Sequence, residues 1–200
     1  MNLKQLRLGL WLLVGLVAAG LVVFLWKGAE SEEPSFSQTP MATIGGPFTL
    51  TASSGNPFSS TELNEKPAAV FFGFTHCPDV CPTTIARLTK LRRELGKGDD
   101  ALSIVFISVD PERDTPAEVD NYMKLYDTPV IGLTGTVAQI EQVKKQFGIF
   151  SRKVEQPGGS YSVDHTATVI LLDRNGQFTA TLSPEEGNDV ALDKLRRITA

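Results

Sequence analysis

Cysteine and histidine are scarce in this chain, whose 200 residues contain only two of each. Structural zinc usually takes four nitrogen or sulfur ligands, so a zinc site built from Cys and His would need all four, including His76. Because His76 adjoins Cys77, binding one ion through both residues is awkward, and we interpret His76 as an exposed turn residue. Since Cys77 is the first cysteine, a lipid-attachment cysteine near the N-terminus is also lacking.

Beyond the first 27 residues, basic residues are fewer than acidic residues. Three of the 19 basic residues (Lys4, Arg7 and Lys27) lie in that segment, which contains no acidic residue. The remainder therefore carries 16 positive and 23 negative charges, a net charge of −7. This balance argues against nucleic acid or an anionic lipid surface as a partner. No repeat with a period of about 20 to 50 residues is present, which excludes a solenoid or a propeller.

A long apolar run lies at the N-terminus, where the 19 residues of 8–26 carry no charge. A helix needs roughly 20 apolar residues to cross a bilayer, and Lys4 and Arg7 orient residues 1–7 toward the cytoplasm. The alternative is a cleaved signal peptide, whose apolar region is usually about 7 to 15 residues. We predict an uncleaved transmembrane anchor at 8–26, a Ser-, Glu- and Pro-rich linker at 27–42, and a domain at 43–200 across the membrane.

The apolar pattern of the predicted domain alternates between strands and helices. Unbroken apolar runs at 68–74 and 101–109 predict strands buried on both faces. Apolar residues at near-helical spacing from Ile85 to Leu95 predict a helix after the first of them. Thr115 and Thr136 have the pattern of helix N-caps, the second for a helix through about Phe147.

The remaining elements are shorter. We expect strand pairs at 44–50 with 56–63 and at 167–172 with 177–182, a strand at 130–133 and a loop at 151–163. A terminal helix should present an apolar face of Val190, Leu192, Leu195 and Ile198. Strands that alternate with helices and end in a hairpin predict an α/β, thioredoxin-like fold, with a central mixed sheet flanked by helices.

Both cysteines lie between the first buried strand and its helix, in the segment FTHCPDVCPTT at 74–84. A structural disulfide across three intervening residues would remove little loop entropy from the unfolded chain. A helix N-terminus favours the thiolate, so Cys77 and Cys81 are a candidate redox-active pair, although their spacing is one residue wider than the C-x-x-C of thioredoxins. Two thiolates also suit Cu(I), with Zn²⁺ as a competitor.

The second histidine, His165, precedes a predicted buried strand and follows a glycine-containing loop. A lone histidine is more often a structural hydrogen-bonding residue than a ligand. Here, however, Asp164 could orient the ring from the second shell of a metal site. Cys77, Cys81 and His165 would supply two sulfurs and one nitrogen. That set suits three-coordinate Cu(I), and a weak extra ligand such as water could complete a Cu(II) site.

Several segments in order carry a family resemblance: FFGFTHCPDVCPTT at 71–84, SVDPERDTP at 108–116 and YSVDHTATVILLDRNG at 161–176. With IGGPFTL at 44–50 and the N-terminal apolar run, they resemble the Sco/SenC family of membrane-anchored copper proteins from position 43 to the end. The resemblance implies a thioredoxin-like fold and copper bound by Cys77, Cys81 and His165. The predicted anchor and its flanking charges make this an expected single-pass inner-membrane protein whose C-terminal domain lies in the periplasm.

The functional role implied by the resemblance is assembly of the binuclear copper centre of cytochrome c oxidase. The chain would deliver copper, reduce the cysteines of that centre, or do both. Its partners would be the copper-site subunit of the oxidase and another periplasmic copper carrier or a thiol reductant. We expect the loop at 151–163 to move so that His165 enters and leaves the site.

Other functions fit parts of the same sequence. A periplasmic thiol–disulfide oxidoreductase would use Cys77 and Cys81 and give His165 no necessary task. A peroxiredoxin-like peroxidase is a weaker alternative, and a copper or redox sensor lacks an effector domain in this sequence. Asp110, Arg113 and Asp114 follow the second buried strand, and we interpret them as structural or partner-facing residues.

Overall fold

The computed structural model describes residues 3–28 and 44–200, which belong to two compact units, Met1–Ala42 and Thr43–Ala200. In the first unit, helix α1 covers Leu3–Gly28. Among the described residues, none of the helices combines the length and apolar content that a membrane crossing requires. The predicted linker lies outside the described residues from position 29 onward, as do the first two residues of the predicted cytoplasmic segment.

The second unit is built on a seven-stranded mixed sheet and a separate two-stranded sheet. The strands are β1 Thr49–Ala52, β2 Pro57–Ser59, β3 Ala68–Gly73, β4 Ser103–Ser108, β5 Ile131–Thr134, β6 Ser151–Glu155, β7 Tyr161–His165, β8 Val169–Leu172 and β9 Phe178–Leu182. The large sheet has the order β2-β1-β5-β4-β3-β8-β9, and β6 pairs with β7 alone. The helices are α2 Val80–Glu94, α3 Pro116–Met123, α4 Val137–Phe147 and α5 Asn188–Ile198.

Strands β3 and β4 form the parallel centre of the large sheet, with Phe71 opposite Phe106. All six residues of β3 are buried, and so are five of the six in β4. Unbroken apolar sequence is typical of strands that are covered on both faces. The predicted strands at 68–74 and 101–109 are therefore confirmed, with ends shifted by one or two residues.

The topology brings two sequence-distant segments to one edge of the sheet. Strand β8 runs antiparallel to β3, with Ile170 opposite Val70 and Leu172 opposite Ala68. The start of β8 consequently lies beside the carboxyl end of β3. The cysteine segment leaves β3 at this edge, and β7 ends only a few residues before β8 begins. Sites in open α/β sheets characteristically lie at the carboxyl ends of the strands.

The helix boundaries follow the capping signals in the sequence. The Thr115 hydroxyl accepts a hydrogen bond from the Glu118 amide at the start of α3. Thr136 and Gln139 form a reciprocal capping box at the start of α4. Both predicted N-caps are confirmed. Helix α4 ends at Gly148, whose left-handed φ of 66° permits a C-cap without a Cβ clash.

The terminal helix is confirmed, and Leu192 packs against the core as predicted, but one residue of the predicted apolar face is wrong. Leu195 and Ile198 are buried, whereas Val190 is 48% exposed. Ala191 is fully buried instead, because residues 191, 195 and 198 follow the i, i+4, i+7 spacing of one helical face. A face that uses alanine is hard to identify when larger apolar residues lie beside it.

The segment at 151–163 is not a loop, and this prediction is wrong. Residues of β6 and β7 pair from Ser151 opposite His165 to Glu155 opposite Tyr161, so that the segment is an antiparallel hairpin. Val163 is the one buried residue among its ten strand positions. A two-stranded ribbon exposed to solvent lacks the alternation of apolar and polar residues that predicts a strand.

Candidate metal centre

The two cysteines occupy different environments on either side of one helix start. Cys77 lies in the turn after β3 and is half-buried, while Cys81 is the second residue of α2 and is fully buried. The Cys77 amide donates to the Phe74 carbonyl oxygen at 3.2 Å, which closes the turn. The Cys81 amide points to Cys77 Sγ at 3.5 Å, as free N–H groups do at a helix N-terminus. Both thiols are free.

His165 reaches this pair from the end of β7. Its Nε2 atom lies 3.4 Å from Cys81 Sγ, and its Nδ1 atom lies 3.0 Å from the Thr166 carbonyl oxygen. Because a carbonyl oxygen only accepts hydrogen bonds, Nδ1 carries a proton and donates in this contact. Nε2 is then the ring nitrogen that faces the thiols and is available to a metal ion. The backbone carbonyl thus selects the tautomer that a metal ligand requires.

Two aromatic rings hold the imidazole on its other sides. The ring centroids of Phe71 and Phe74 lie 6.0 and 5.7 Å from that of His165, both in edge-to-face geometry. Both phenylalanines are almost completely buried. Edge-to-face contacts at these distances are favourable, so the ring orientation is defined by packing as well as by the Thr166 carbonyl.

The structure brings Cys77, Cys81 and His165 together as a potential ligand set. Their sulfur and nitrogen atoms all lie within 4.8 Å of one another. Metal–sulfur and metal–nitrogen bonds of zinc proteins are about 2.0–2.3 Å long, so two ligands of one ion at angles of about 110–120° lie roughly 3.3–4.0 Å apart. The three atoms therefore require little movement to bind a single ion.

The thiols differ strongly in acidity. The pKa of Cys77 is lowered to about 3, chiefly because the Cys81 side chain hydrogen-bonds to its thiolate. The backbone amides of Asp79 and Cys81 lower it further, and partial burial opposes them. The pKa of Cys81 is raised, because this thiol hydrogen-bonds to Cys77 and is buried. At neutral pH the metal-free Cys77–Cys81 pair consequently holds one proton, on Cys81.

Gly73 is a site residue that the sequence analysis did not identify. A Cβ atom at this position would lie 2.8 Å from Cys81 Sγ and 2.8 Å from the Phe106 ring. Real Cβ contacts are essentially never that short, so only glycine lets the Cys81 thiol pack against the end of β3. A glycine inside an otherwise apolar strand is a sequence signal for such a close approach.

His76 lies outside the ligand set. Its side chain is 51% exposed, with Nδ1 3.0 Å from the Thr75 hydroxyl and 3.6 Å from Asp114 Oδ1. Asp114 is fully buried and accepts hydrogen bonds from the Thr75 amide, the Thr75 hydroxyl and the Ser108 hydroxyl. The aspartate thereby fixes Thr75, two residues before Cys77, a structural task within the motif at 108–116.

The predicted role of Asp164 is not supported, because the structure gives it a different partner. Its carboxylate is exposed and pairs with Arg152 at 3.0 Å. Successive side chains of a strand point to opposite faces, so Asp164 points away from the face on which His165 meets the thiols. The Thr166 carbonyl, a backbone group that composition does not reveal, contacts Nδ1 instead.

Comparisons with known proteins identify the family of this chain. The family model described as SCO1/SenC matches residues 36–200. The chain belongs to the SCO1/SenC family. Among relatives, Protein SCO2, mitochondrial, of Saccharomyces cerevisiae is 38% identical over 156 residues, which cover 76% of this chain and 52% of that protein. The SCO2-like protein of Rickettsia felis is 34% identical over 169 residues, 82% of each chain.

A solved structure from the same family shares the fold of this chain. The structure of Bradyrhizobium japonicum ScoI with copper bound superimposes with a TM-score of 0.71 at 41% identity. It covers 78% of this chain and 99% of that chain. The α/β, thioredoxin-like architecture predicted from the sequence is therefore the architecture of a SCO1/SenC protein.

Proposed function

We propose that this chain is a copper chaperone that binds copper through Cys77, Cys81 and His165. The observation that carries the proposal is the convergence of these three donors within 4.8 Å in a member of the SCO1/SenC family. The ScoI protein of Bradyrhizobium japonicum, 41% identical, has been solved with copper bound. Copper is here the cargo of the protein.

The donor set fits copper chemically. Thiolates are soft ligands that suit Cu(I), and imidazole suits copper in either oxidation state. Cys77 is already a thiolate at neutral pH, so binding has to release only the proton of Cys81. Three protein donors leave room for an incoming ligand, so a partner with additional donors can take the ion by stepwise exchange.

We further propose that the recipient is the copper-site subunit of cytochrome c oxidase, as the family resemblance implies. The donor would be another periplasmic copper carrier. Because the match spans only 52% of the yeast relative, the activity of such whole proteins remains a proposal for this chain. The same holds for the single-pass inner-membrane anchor, which rests on the 19 uncharged residues of 8–26 and is not supported by the described helix.

The test of the metal site is a pair of histidine variants. The purified domain should bind one copper ion. When that ion is Cu(II), the protein should show the sulfur-to-metal charge-transfer absorption of a thiolate site. His165→Ala should lose most of that binding and change the spectrum. The matched control is His76→Ala, which removes the half-exposed imidazole beside Cys77 and should leave both unchanged. Normal copper affinity and spectrum in His165→Ala would refute the proposed ligand set.

A second function, thiol–disulfide exchange, is favoured by the partly exposed free thiol of Cys77 beside the free thiol of Cys81. A half-exposed thiol with a pKa of about 3 is a thiolate at all physiological pH values, and the thiolate is the attacking species. The Cys77–Cys81 dithiol would be oxidised to a disulfide as a disulfide of the oxidase copper site is reduced, and an external thiol reductant would then reduce the Cys77–Cys81 pair again. Respiration lost on removal of the protein and restored by added copper supports delivery, whereas restoration by an added thiol reductant supports exchange.

A further inference from the structure

The hairpin that carries His165 has little apolar packing to hold it in place. Of its ten strand residues only Val163 is buried, and β6 and β7 pair with no strand of the large sheet. At its base, the Thr166 amide donates to the Phe150 carbonyl oxygen at 3.0 Å, and the Phe150 amide donates to the Thr166 hydroxyl at 3.1 Å. Two-stranded hairpins alone are marginally stable in water, so other contacts must fix this one.

Those contacts come from a polar cluster of Asp110, Arg113 and Tyr161, which we call the hairpin clasp. Arg113 Nε donates to Asp110 Oδ2 at 2.5 Å, and Arg113 Nη1 donates to the Tyr161 carbonyl oxygen at 2.9 Å. The Tyr161 hydroxyl donates to Asp110 Oδ1 at 2.9 Å. The guanidinium also stacks on the Tyr161 ring, 3.7 Å from its centroid. Asp110 is 1% exposed, so these charge-assisted bonds are strong.

The clasp is connected to the metal centre through one aromatic ring. The Arg113 guanidinium lies 5.9 Å from the Phe74 centroid, and the Phe74 ring in turn packs edge-to-face on His165 at 5.7 Å. Arg113 therefore contacts both the hairpin at Tyr161 and the wall of the His165 pocket. The adjacent Asp114 holds Thr75, next to the cysteine segment.

We propose that Arg113 and Tyr161 are positioning residues, which clasp the β6–β7 hairpin to the segment after β4 and so hold the His165 imidazole at the thiols. Release of the clasp would free the hairpin without unfolding the large sheet, and His165 would leave the cysteine pair. The inference rests on the proposed copper function for its consequence, but the clasp itself is a property of the metal-free protein.

Graded substitutions at Tyr161 test the clasp, with amide hydrogen exchange of residues 151–165 measured in the metal-free protein. Tyr161→Phe keeps the ring over Arg113 and removes one hydrogen bond, so exchange should rise about three- to tenfold. Tyr161→Leu also removes the stacked ring and should raise it more than about tenfold. Arg113→Lys keeps the charge, loses the planar guanidinium, and should resemble Tyr161→Leu.

The matched control is Arg152→Gln, which breaks the exposed Arg152–Asp164 pair on the same hairpin. Exposed pairs contribute little, so exchange should stay within about twofold of the original protein. The midpoint of global unfolding is recorded for every variant. Exchange that does not rise in Tyr161→Leu, or that rises only in proportion to lost global stability, overturns the clasp.

The dissociation rate and absorption spectrum of bound copper then show whether His165 is held at the thiols. In Tyr161→Leu and Arg113→Lys, copper should dissociate faster and the thiolate absorption should move toward that of His165→Ala. Faster hairpin exchange with an unchanged spectrum and dissociation rate would overturn the positioning role. If the unaltered protein binds no copper, the proposed function fails, while the exchange measurements still decide whether the clasp exists.

Discussion

Gly73 limits the space around the metal centre at the scale of a single residue. Gly73→Ala would place a methyl group 2.8 Å from Cys81 Sγ and from the Phe106 ring. Overpacking of this kind costs about 1–3 kcal/mol, and the displaced thiol should weaken copper binding. Urea unfolding and copper titration measure the two effects.

The matched control for Gly73→Ala is Gly132→Ala on β5. Its Cβ would meet Val119 at 2.5 Å and Met123 at 2.7 Å, with no ligand nearby. It should lose similar stability and keep its copper affinity. Equal losses of copper affinity in both variants would mean that general destabilisation, and not the position of Cys81, causes the effect.

Cys77 should react at a pH where ordinary thiols do not. Because its pKa is lowered to about 3, the metal-free protein holds this thiolate at every pH above about 4, and the rate of alkylation by iodoacetamide should be nearly flat from pH 5 to 8. An ordinary thiol, with a pKa of about 8.5, reacts roughly tenfold faster for each pH unit in this range. Peptide mapping of the alkylated protein measures the rate.

The variant Cys81→Ala tests whether Cys81 causes the low pKa of Cys77. It removes the hydrogen bond that lowers the Cys77 pKa most, so the Cys77 pKa should rise and a pH-dependent rate should reappear. Alkylation that rises tenfold per pH unit in the original protein contradicts the assignment of a thiolate. Cys81 is fully buried, and we expect it to stay unmodified until the protein unfolds.

Residue patterns predicted the candidate ligand residues better than the groups that hold those residues in place. Two cysteines and the histidine of YSVDHTATV were identifiable because their residue types are rare in this chain. Asp164 was a wrong choice for the partner of His165, because hydrogen bonding by the Thr166 carbonyl depends on backbone geometry, and every residue has a carbonyl. The sequence did mark Gly73, because a glycine within a buried strand indicates a close approach. The contact of Gly73 with Cys81, however, depends on the tertiary fold.

At the scale of elements, the segment after β4 links the central sheet to the cysteine turn. Asp114→Asn replaces one of the carboxylate oxygens with an NH₂ group that faces donors from Thr75 and Ser108. A buried donor without an acceptor costs about 1–3 kcal/mol. We expect urea unfolding to show a loss of that size.

The control for this element is Asp164→Asn on the exposed face of β7. It weakens an exposed pair with Arg152 and should change stability by less than about 0.5 kcal/mol. It should also leave copper binding unchanged, since the carboxylate does not contact His165. A larger copper effect from Asp164→Asn than from Asp114→Asn would restore the role that the sequence suggested for Asp164.

The secondary-structure elements differed in how well the sequence predicted them. Strands β3 and β4 were predicted from unbroken apolar runs, and α3 and α4 from their threonine caps. The β6–β7 hairpin was missed because its stability comes from Arg113 and Asp110, which lie about 50 residues away in the chain. Local pattern carries no information about such a tertiary contact.

At the scale of the whole molecule, the proposed anchor makes a prediction about partition. The full chain should remain with membranes after extraction with alkaline carbonate, because residues 8–26 carry no charge. A chain that begins at residue 43 should be recovered in the soluble fraction with its copper site intact. Release of the full chain by carbonate would contradict the anchor, and loss of copper binding in the shorter chain would show that the domain is not self-sufficient.

The separation of 84 residues between Cys81 and His165 also sets an order of events in a newly made chain. The two thiols emerge first, as a dithiol segment, whereas the imidazole of His165 emerges only after β4, β5, β6 and the rest of β7 have been synthesised. Contacts between segments so far apart form late, since loop closure precedes them. A three-donor site therefore distinguishes a finished molecule from a truncated or half-folded one, so that cargo is held by all three ligands only in completed protein.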